Sequence, residues 1–409
     1  MTLFTTNIWL AAVWYPTDPH ALSRTLALNN GAFFVATLLM VPIAGVYVDR
    51  LDRQRIKLVA NALSGAVTLA FAVLVWSGHA GAVELIGTTV LVAAAGAFHA
   101  LAFDTAYVGL VRRPDLPRAN GMLQTAFSLR GILAPSIAAV LFGLPQWLTE
   151  HHASALGIEH LRDGAVLGFL LDGISFLLAG LILALFRMPK LTPVTETRAS
   201  VLRELPFGWN YIRARRSLLW LLSLFFVANA ADGVAGVLAI VVIRIDTAQS
   251  WAASGLSFQE ALALWGTVAA CGGTAGGLLV VAWGGLRRRR MFGVIAPMML
   301  AGAALVGYGT GNYLVILVAA GLVGFSSPVM NAHSQAIWQS QVPVSLQGRV
   351  FSSRRLIAQC SIPLGSIIGG VLGGLGSAAI SIALVGGVLL LASTAQLFNA
   401  ALLRVDELP

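Results

Sequence analysis

Residues 268–305 read VAACGGTAGGLLVVAWGGLRRRRMFGVIAPMMLAGAAL. Four consecutive arginines, Arg287 to Arg290, stand between two stretches without a single charge. The arrangement recurs along the chain: long apolar runs alternate with short loops, and Lys and Arg collect in every second loop. An apolar run of about 20 residues matches the hydrocarbon thickness of a bilayer. In lipid the backbone must satisfy its own hydrogen bonds, so each run is predicted to be a helix. The expected fold class is an all-α, multi-pass membrane protein.

Composition points the same way. Of 409 residues, 57% are hydrophobic and 11% charged, with a mean hydropathy of +0.82, against roughly 25% charge in a soluble domain. A net charge of +9 would suit nucleic acid, but loops facing anionic lipid headgroups account for it. The bilayer is therefore the expected partner, together with a small-molecule substrate, and no nucleic acid. The two cysteines, Cys271 and Cys360, fall inside apolar runs and read as packing residues, not as a disulfide or metal pair. The first residues lack a basic n-region, so no cleavable signal peptide is predicted.

Twelve spans are predicted, at 2–15, 27–48, 58–77, 83–110, 120–143, 164–186, 217–243, 259–285, 291–309, 313–338, 351–372 and 377–400. Of 26 basic residues, 22 lie in loops after even-numbered spans (with Arg354 and Arg355 in the first residues of the span that follows), in the central loop or in the C-terminal tail. Only Arg24, Arg162 and Arg244 fall in the opposite loops, and Arg130 lies within a span. Basic loops stay on the cytoplasmic side, which places the C-terminus in the cytoplasm and the protein in the cytoplasmic (inner) membrane.

The chain also repeats itself. Leu116-Pro117-Arg118 opens a helix that reaches Pro135, and Leu346-Gln347-Gly348-Arg349 opens one that reaches Pro363, 230 positions later. The same shift carries Lys57 onto Arg287. Two pseudo-symmetric six-helix halves follow, 1–186 and 217–409, joined by a cytoplasmic linker at 187–216. Such halves place a substrate site near the midplane between them. The first span has 14 residues where about 20 are needed. Part of helix one is expected to be missing, through a start site upstream or a real shortening. Within the linker, Leu202, Leu205, Trp209 and Ile212 fall at helical spacing beside arginines, as in a helix lying on the membrane surface.

The stretch Gly45-Val-Tyr-Val-Asp49-Arg50-Leu-Asp52-Arg53-Gln-Arg55 resembles the loop 2–3 signature of the major facilitator superfamily. Asp52, in place of the usual glycine, resembles the drug-exporter branch that includes macrolide-efflux and enterobactin-exporter proteins. Ala102-Phe103-Asp104, Leu116 to Asn120, Phe169 to Phe176 and Leu346 to Phe351 resemble the same branch. Ala134-Pro135 departs from the usual Gly-Pro, and the second-half loop has kept arginines but no aspartate. The resemblance implies a 12-helix bundle and a conformational lock formed by Gly45, Asp49, Arg50 and Arg53. Gly45 permits close helix approach, and Asp49 near a helix end accepts from backbone N–H groups or an arginine. The alternative is that these charges only fix topology and cap a helix.

A charge at mid-bilayer costs on the order of 3 kcal/mol, so each one needs a partner or a task. Asp104 and Arg130 lie at depths of about 12 and 16 Å on consecutive spans. They are predicted to pair, either as a clamp or in substrate coupling. Asp232 lies about 24 Å in, on span seven, with Asn229 on the same face and Gly233 and Gly236 beside it. The resemblance makes spans one, four, seven and ten cavity liners, so Asp232 is the candidate proton carrier; its alternative is a helix-end carboxylate reaching water. His99 and His333 are candidates for titration or ligand binding, or else for packing, and Asn331 for lining the cavity. Asp172 is read as structural. Trp9, Trp14 and Trp265 suit either the cavity or the interfacial belt.

No GxxxxGK[ST] loop, HExxH motif or Cys/His cluster occurs, so neither an ATP-driven pump, a metal site nor an enzyme is expected. The reading is a monomeric secondary active exporter. It moves a small amphipathic compound (drug, antibiotic or siderophore-like) by alternating access and proton antiport, using the proton gradient and no cofactor. The alternatives are a lipid or lysophospholipid translocator and, in another class, a non-transporting truncated remnant or membrane sensor.

Overall fold

The computed structural model describes residues 2–15, 17–106, 111–150, 164–186 and 206–405. These residues form helices joined by short turns, with no strand among them. By contact the chain divides into two units: Met1–Tyr107 with Ile132–Leu205, and Val108–Gly131 with Pro206–Pro409. Eleven helices are long and apolar enough to cross a membrane among the described residues.

The first unit holds α1 (Thr2–Trp9), α2 (Pro19–Arg50), α3 (Arg53–Trp76), α4 (Ala82–Ala106), the later part of α5 (Leu116–Glu150) and α6 (Ala165–Leu185). A π-helical turn, Leu10–Trp14, prolongs α1, which is too short to count among the spanning helices. It is nevertheless seated in the core. Trp9 is 2% exposed and meets the Phe71 ring edge-on at 5.9 Å, and Phe71 meets Phe169 edge-on at 5.1 Å. Helix α2 begins at Pro19, earlier than the predicted 27, so Arg24 is helical. The cause is local. The Asp18 carboxylate accepts from the backbone N–H groups of His20 (3.1 Å) and Ala21 (2.9 Å), and a proline at the first helical position has no amide to leave unpaired.

The second unit holds α7 (Phe207–Ala214), α8 (Arg216–Val241), α9 (Phe258–Trp283), α10 (Phe292–Val306), α11 (Tyr313–Gln341), α12 (Gln347–Leu375) and α13 (Ala378–Ala395). Ser257 and Glu260 close a capping box at the start of α9, and Gly284, at φ 87°, ends it. Glycines four apart, Gly272/Gly276 and Gly365/Gly369, form close-packing seams. A Cβ on Gly272 would lie 2.1 Å from the Gly321 carbonyl oxygen of α11, and one on Gly365 2.1 Å from the Ala230 oxygen of α8. With no side chain on one wall, the backbones meet directly. The same device draws the start of α5 into this unit, since Gly121 faces Val280 and Gly277 faces Thr125.

The described part of the linker is α7. Ile212 is fully buried, Trp209 is exposed, and Gly208 lies against the Arg349 carbonyl of α12. Leu202, Arg203 and Leu205 lie outside the described residues, as do Arg162, Arg187, Lys190 and Arg198.

Candidate functional site

In the first unit the basic residues between α2 and α3 tie three helix ends together. Asp52 caps α3, accepting from the N–H groups of Gln54 (2.8 Å) and Arg55 (3.3 Å). That fixes the next two side chains. Arg53, 8% exposed, donates to the Thr105 carbonyl at the end of α4 at 2.9 Å. Gln54 donates to the Leu183 carbonyl (3.0 Å) and the Phe186 carbonyl (2.6 Å) at the end of α6. Carbonyls at a helix C-terminus have no partner within their own helix, and these side chains supply one. Asp49, in the last turn of α2, acts electrostatically on Arg53. Lys57 is buried with its ammonium 4.8 Å from the Phe103 ring centre. Gly45 is buried, and Arg50 is half-buried.

The second unit repeats the theme with other partners. In the run Arg287 to Arg290 only Arg290 is buried, at 6% exposure. It donates to the Arg113 carbonyl at 2.9 Å and to Ser340 Oγ, at the end of α11, at 3.3 Å. One aspartate meets this arginine run: Asp115 pairs with Arg112 at 2.8 Å and faces Arg287 at 3.9 Å.

Mid-span groups fall into two kinds. His333 is fully buried, its Nδ1 2.8 Å from the Val329 carbonyl while Nε2 accepts from the Leu286 N–H at 2.9 Å. Asn331 donates to the Ser327 carbonyl one turn back at 2.9 Å. Asn229 donates to the Ala358 carbonyl of α12 at 3.4 Å. His99 stacks on Phe103 at 6.2 Å, and Asp172 is 8% exposed on α6. Asp104 sits near the end of α4 in the first unit; Arg130 sits on α5 in the second, 5.6 Å from the Phe127 ring centre. Trp9 is core, and Trp265 donates to the Tyr308 hydroxyl at 2.9 Å.

Asp232 differs from all of these. Among the described acidic residues of the second unit, Asp115 has its arginines, Asp246 accepts from the Ala379 N–H at 3.1 Å and Glu260 closes a cap. Asp232 has no hydrogen-bond or ion-pair partner among the described residues. Its stripe on α8 is packed one and two heptads earlier, where Phe225 and Leu218 are buried, and opens at Asp232 and Gly236, both exposed. No group of three His, Cys, Asp or Glu able to hold a metal occurs among the described residues.

The sequence profile of the Major Facilitator Superfamily matches residues 1–362. The chain belongs to the major facilitator superfamily. Macrolide efflux protein A of Streptococcus pyogenes is 22% identical over 368 residues, covering 88% of this chain and 83% of that protein. Multidrug efflux pump Tap of Mycobacterium tuberculosis is 30% identical over 151 residues, 33% of this chain and 35% of the pump. Among solved structures, the E. coli fucose:proton symporter FucP superposes with a TM-score of 0.64 at 14% identity, over 97% of this chain and 96% of FucP. The fold is thus the all-α bundle of major facilitator transporters.

Within this superfamily member, sequence reasoning found the loop signature but not the work of Asp52, Gln54, Lys57, Asp115 or Arg290. Only Asp52 had a legible signal, an aspartate directly ahead of an apolar helical run. Gln54, Lys57 and Arg290 have partners far away in the chain: Arg113 is 177 positions from Arg290, and Asp115, three residues from Arg112, also faces the distant Arg287.

Proposed function

We propose that this major facilitator transporter is a secondary active exporter of small amphipathic compounds, driven by inward proton flow, with Asp232 as the proton-carrying group. The observation that supports it best is the unpartnered carboxylate on the open stripe of α8. A lone carboxyl group crosses a low-dielectric region at lowest free energy as the neutral acid, and recovers its charge where water reaches it. Alternating exposure of such a group carries a proton one way as the substrate moves the other. The direction of transport and the substrate class are carried over from the relatives named as macrolide and multidrug efflux proteins. The 22 basic residues gathered on one side support a cytoplasmic C-terminus. No cofactor is required beyond the proton gradient.

The test is transport by purified protein in vesicles with an imposed pH gradient, using amphipathic cations and macrolides as probes. The protein is expected to concentrate a probe against its gradient, and Asp232→Asn to permit only downhill exchange. Uphill transport by Asp232→Asn with unchanged pH dependence overturns the assignment.

A further inference from the structure

At the basic end of the second unit a recess of about 530 Å³ opens at the junction of α7 and α8. Arg215, Arg216, Ser217, Gln341, Ala400 and Arg404 line it. All three arginines are exposed, and among the described residues no carboxylate meets any of them. Arg215 is also the N-cap residue of α8 and supplies no side-chain cap, so the unpaired first-turn N–H groups and the positive end of the helix dipole add to the guanidinium charge.

The walls are built, not accidental. Arg215 lies flat over the Tyr211 ring at 3.6 Å. The Tyr211 hydroxyl donates to the Gln341 carbonyl at 3.3 Å, and the Gln341 amide donates to the Val405 carbonyl at 2.6 Å. Burial pushes the Tyr211 hydroxyl above its ordinary value, with Arg215 opposing, so it remains a donor at neutral pH. Three segments are thereby held around one cationic space. Two exposed aromatics stand near lining residues in the chain: Trp220, one turn past Arg216 on α8, is 46% exposed, and Phe398, two residues before Ala400, is 85% exposed.

Guanidinium forks match phosphate oxygens bidentately. A water-sized group occupies about 30 Å³, so a bare phosphate fills only part of the recess, and the exposed aromatics on the same two segments suit acyl chains. We propose that the recess binds the phosphodiester headgroup of an anionic phospholipid. A soluble phosphate would use the same arginines but gain nothing from Trp220 and Phe398.

The test needs no transport. Protein in detergent is titrated with phosphatidylglycerol or phosphatidylcholine, and bound lipid is counted by native mass spectrometry. Phosphatidylglycerol is expected to bind the tighter. Each of Arg216→Gln and Arg404→Gln is expected to weaken it about fivefold, the factor equivalent to about 1 kcal/mol per basic residue at a membrane surface. Arg404→Lys, which keeps the charge but loses the fork, should bind between the unaltered protein and Arg404→Gln, and Arg288→Gln, at an exposed arginine outside the recess, should retain all of the binding. Monodisperse elution of each variant verifies folding. Equal binding of both lipids, or equal loss in Arg288→Gln, overturns the site. Displacement by inorganic phosphate as effective as by lipid overturns the lipid assignment.

Discussion

Arg53 and Arg290 lie near the basic loops of the two units, and burial gives both the same task. Each belongs to a basic cluster, each is under a tenth exposed, and each donates to a group at the end of a helix. A charged hydrogen bond of this kind contributes roughly 1.5–3 kcal/mol. Arg53→Ala is therefore expected to lower stability by about that amount, whereas Arg288→Ala, on an exposed guanidinium, changes it by no more than about 0.5 kcal/mol. Thermal unfolding of the detergent-solubilised variants checks the contrast. The geometry of His333 likewise fixes its chemistry. Nδ1 faces a carbonyl and so carries the proton; Nε2 accepts from Leu286 N–H. A second proton would set N–H against N–H. His333→Ala leaves a buried amide unsatisfied and is expected to cost on the order of 1–3 kcal/mol. It should leave the pH profile of transport unshifted where protein folds, and a displaced profile would give His333 a share in coupling.

At the scale of helices, the seams explain where glycine is indispensable. A Cβ on Gly324 would lie 2.1 Å from the Ala269 carbonyl oxygen, whereas Gly236 on α8 has nothing within 4 Å. Gly324→Ala must push α9 and α11 apart and is expected to destabilise by about 1–3 kcal/mol. Gly236→Ala is expected to be neutral or to stabilise by up to about 1 kcal/mol through helix propensity. The midpoint of thermal aggregation, read side by side for the two variants, decides. Helix existence was legible because length and hydropathy are local properties, and the Gly272/Gly276 spacing marked a seam without naming its partner. Helix ends were less legible. Ser23, Arg24, Asn29 and Asn30 lower the hydropathy of early α2 and hid its start, although Asp18-Pro19 carried a cap signal. The partners of Arg290 and the allegiance of early α5 to the second unit are tertiary facts, invisible to periodicity.

For the whole molecule, the expected repeat at 230 positions rests on one copy of the basic loop and of the proline-bearing helix in each half of the sequence. What the linear reading lacked was the contact between Asp115 and the arginine run. That pairing is exposed, with Arg287 at 72%, and exposed pairs contribute about 0–1 kcal/mol. Asp115→Asn is therefore expected to leave folding intact, and the architecture rests instead on the crossing of each apolar helix. Helix α10 provides the sharpest check, since Arg289 at φ 52° turns the chain at one end and Gly311 at φ 61° at the other. With Cys271 and Cys360 replaced by serine, single cysteines at Arg288 and at Asn312 should react with an impermeant maleimide from opposite sides of a sealed vesicle. Labelling of both from one side would mean that α10 does not cross. The alternation of basic and neutral loops, and with it the two-half repeat, would then have no basis.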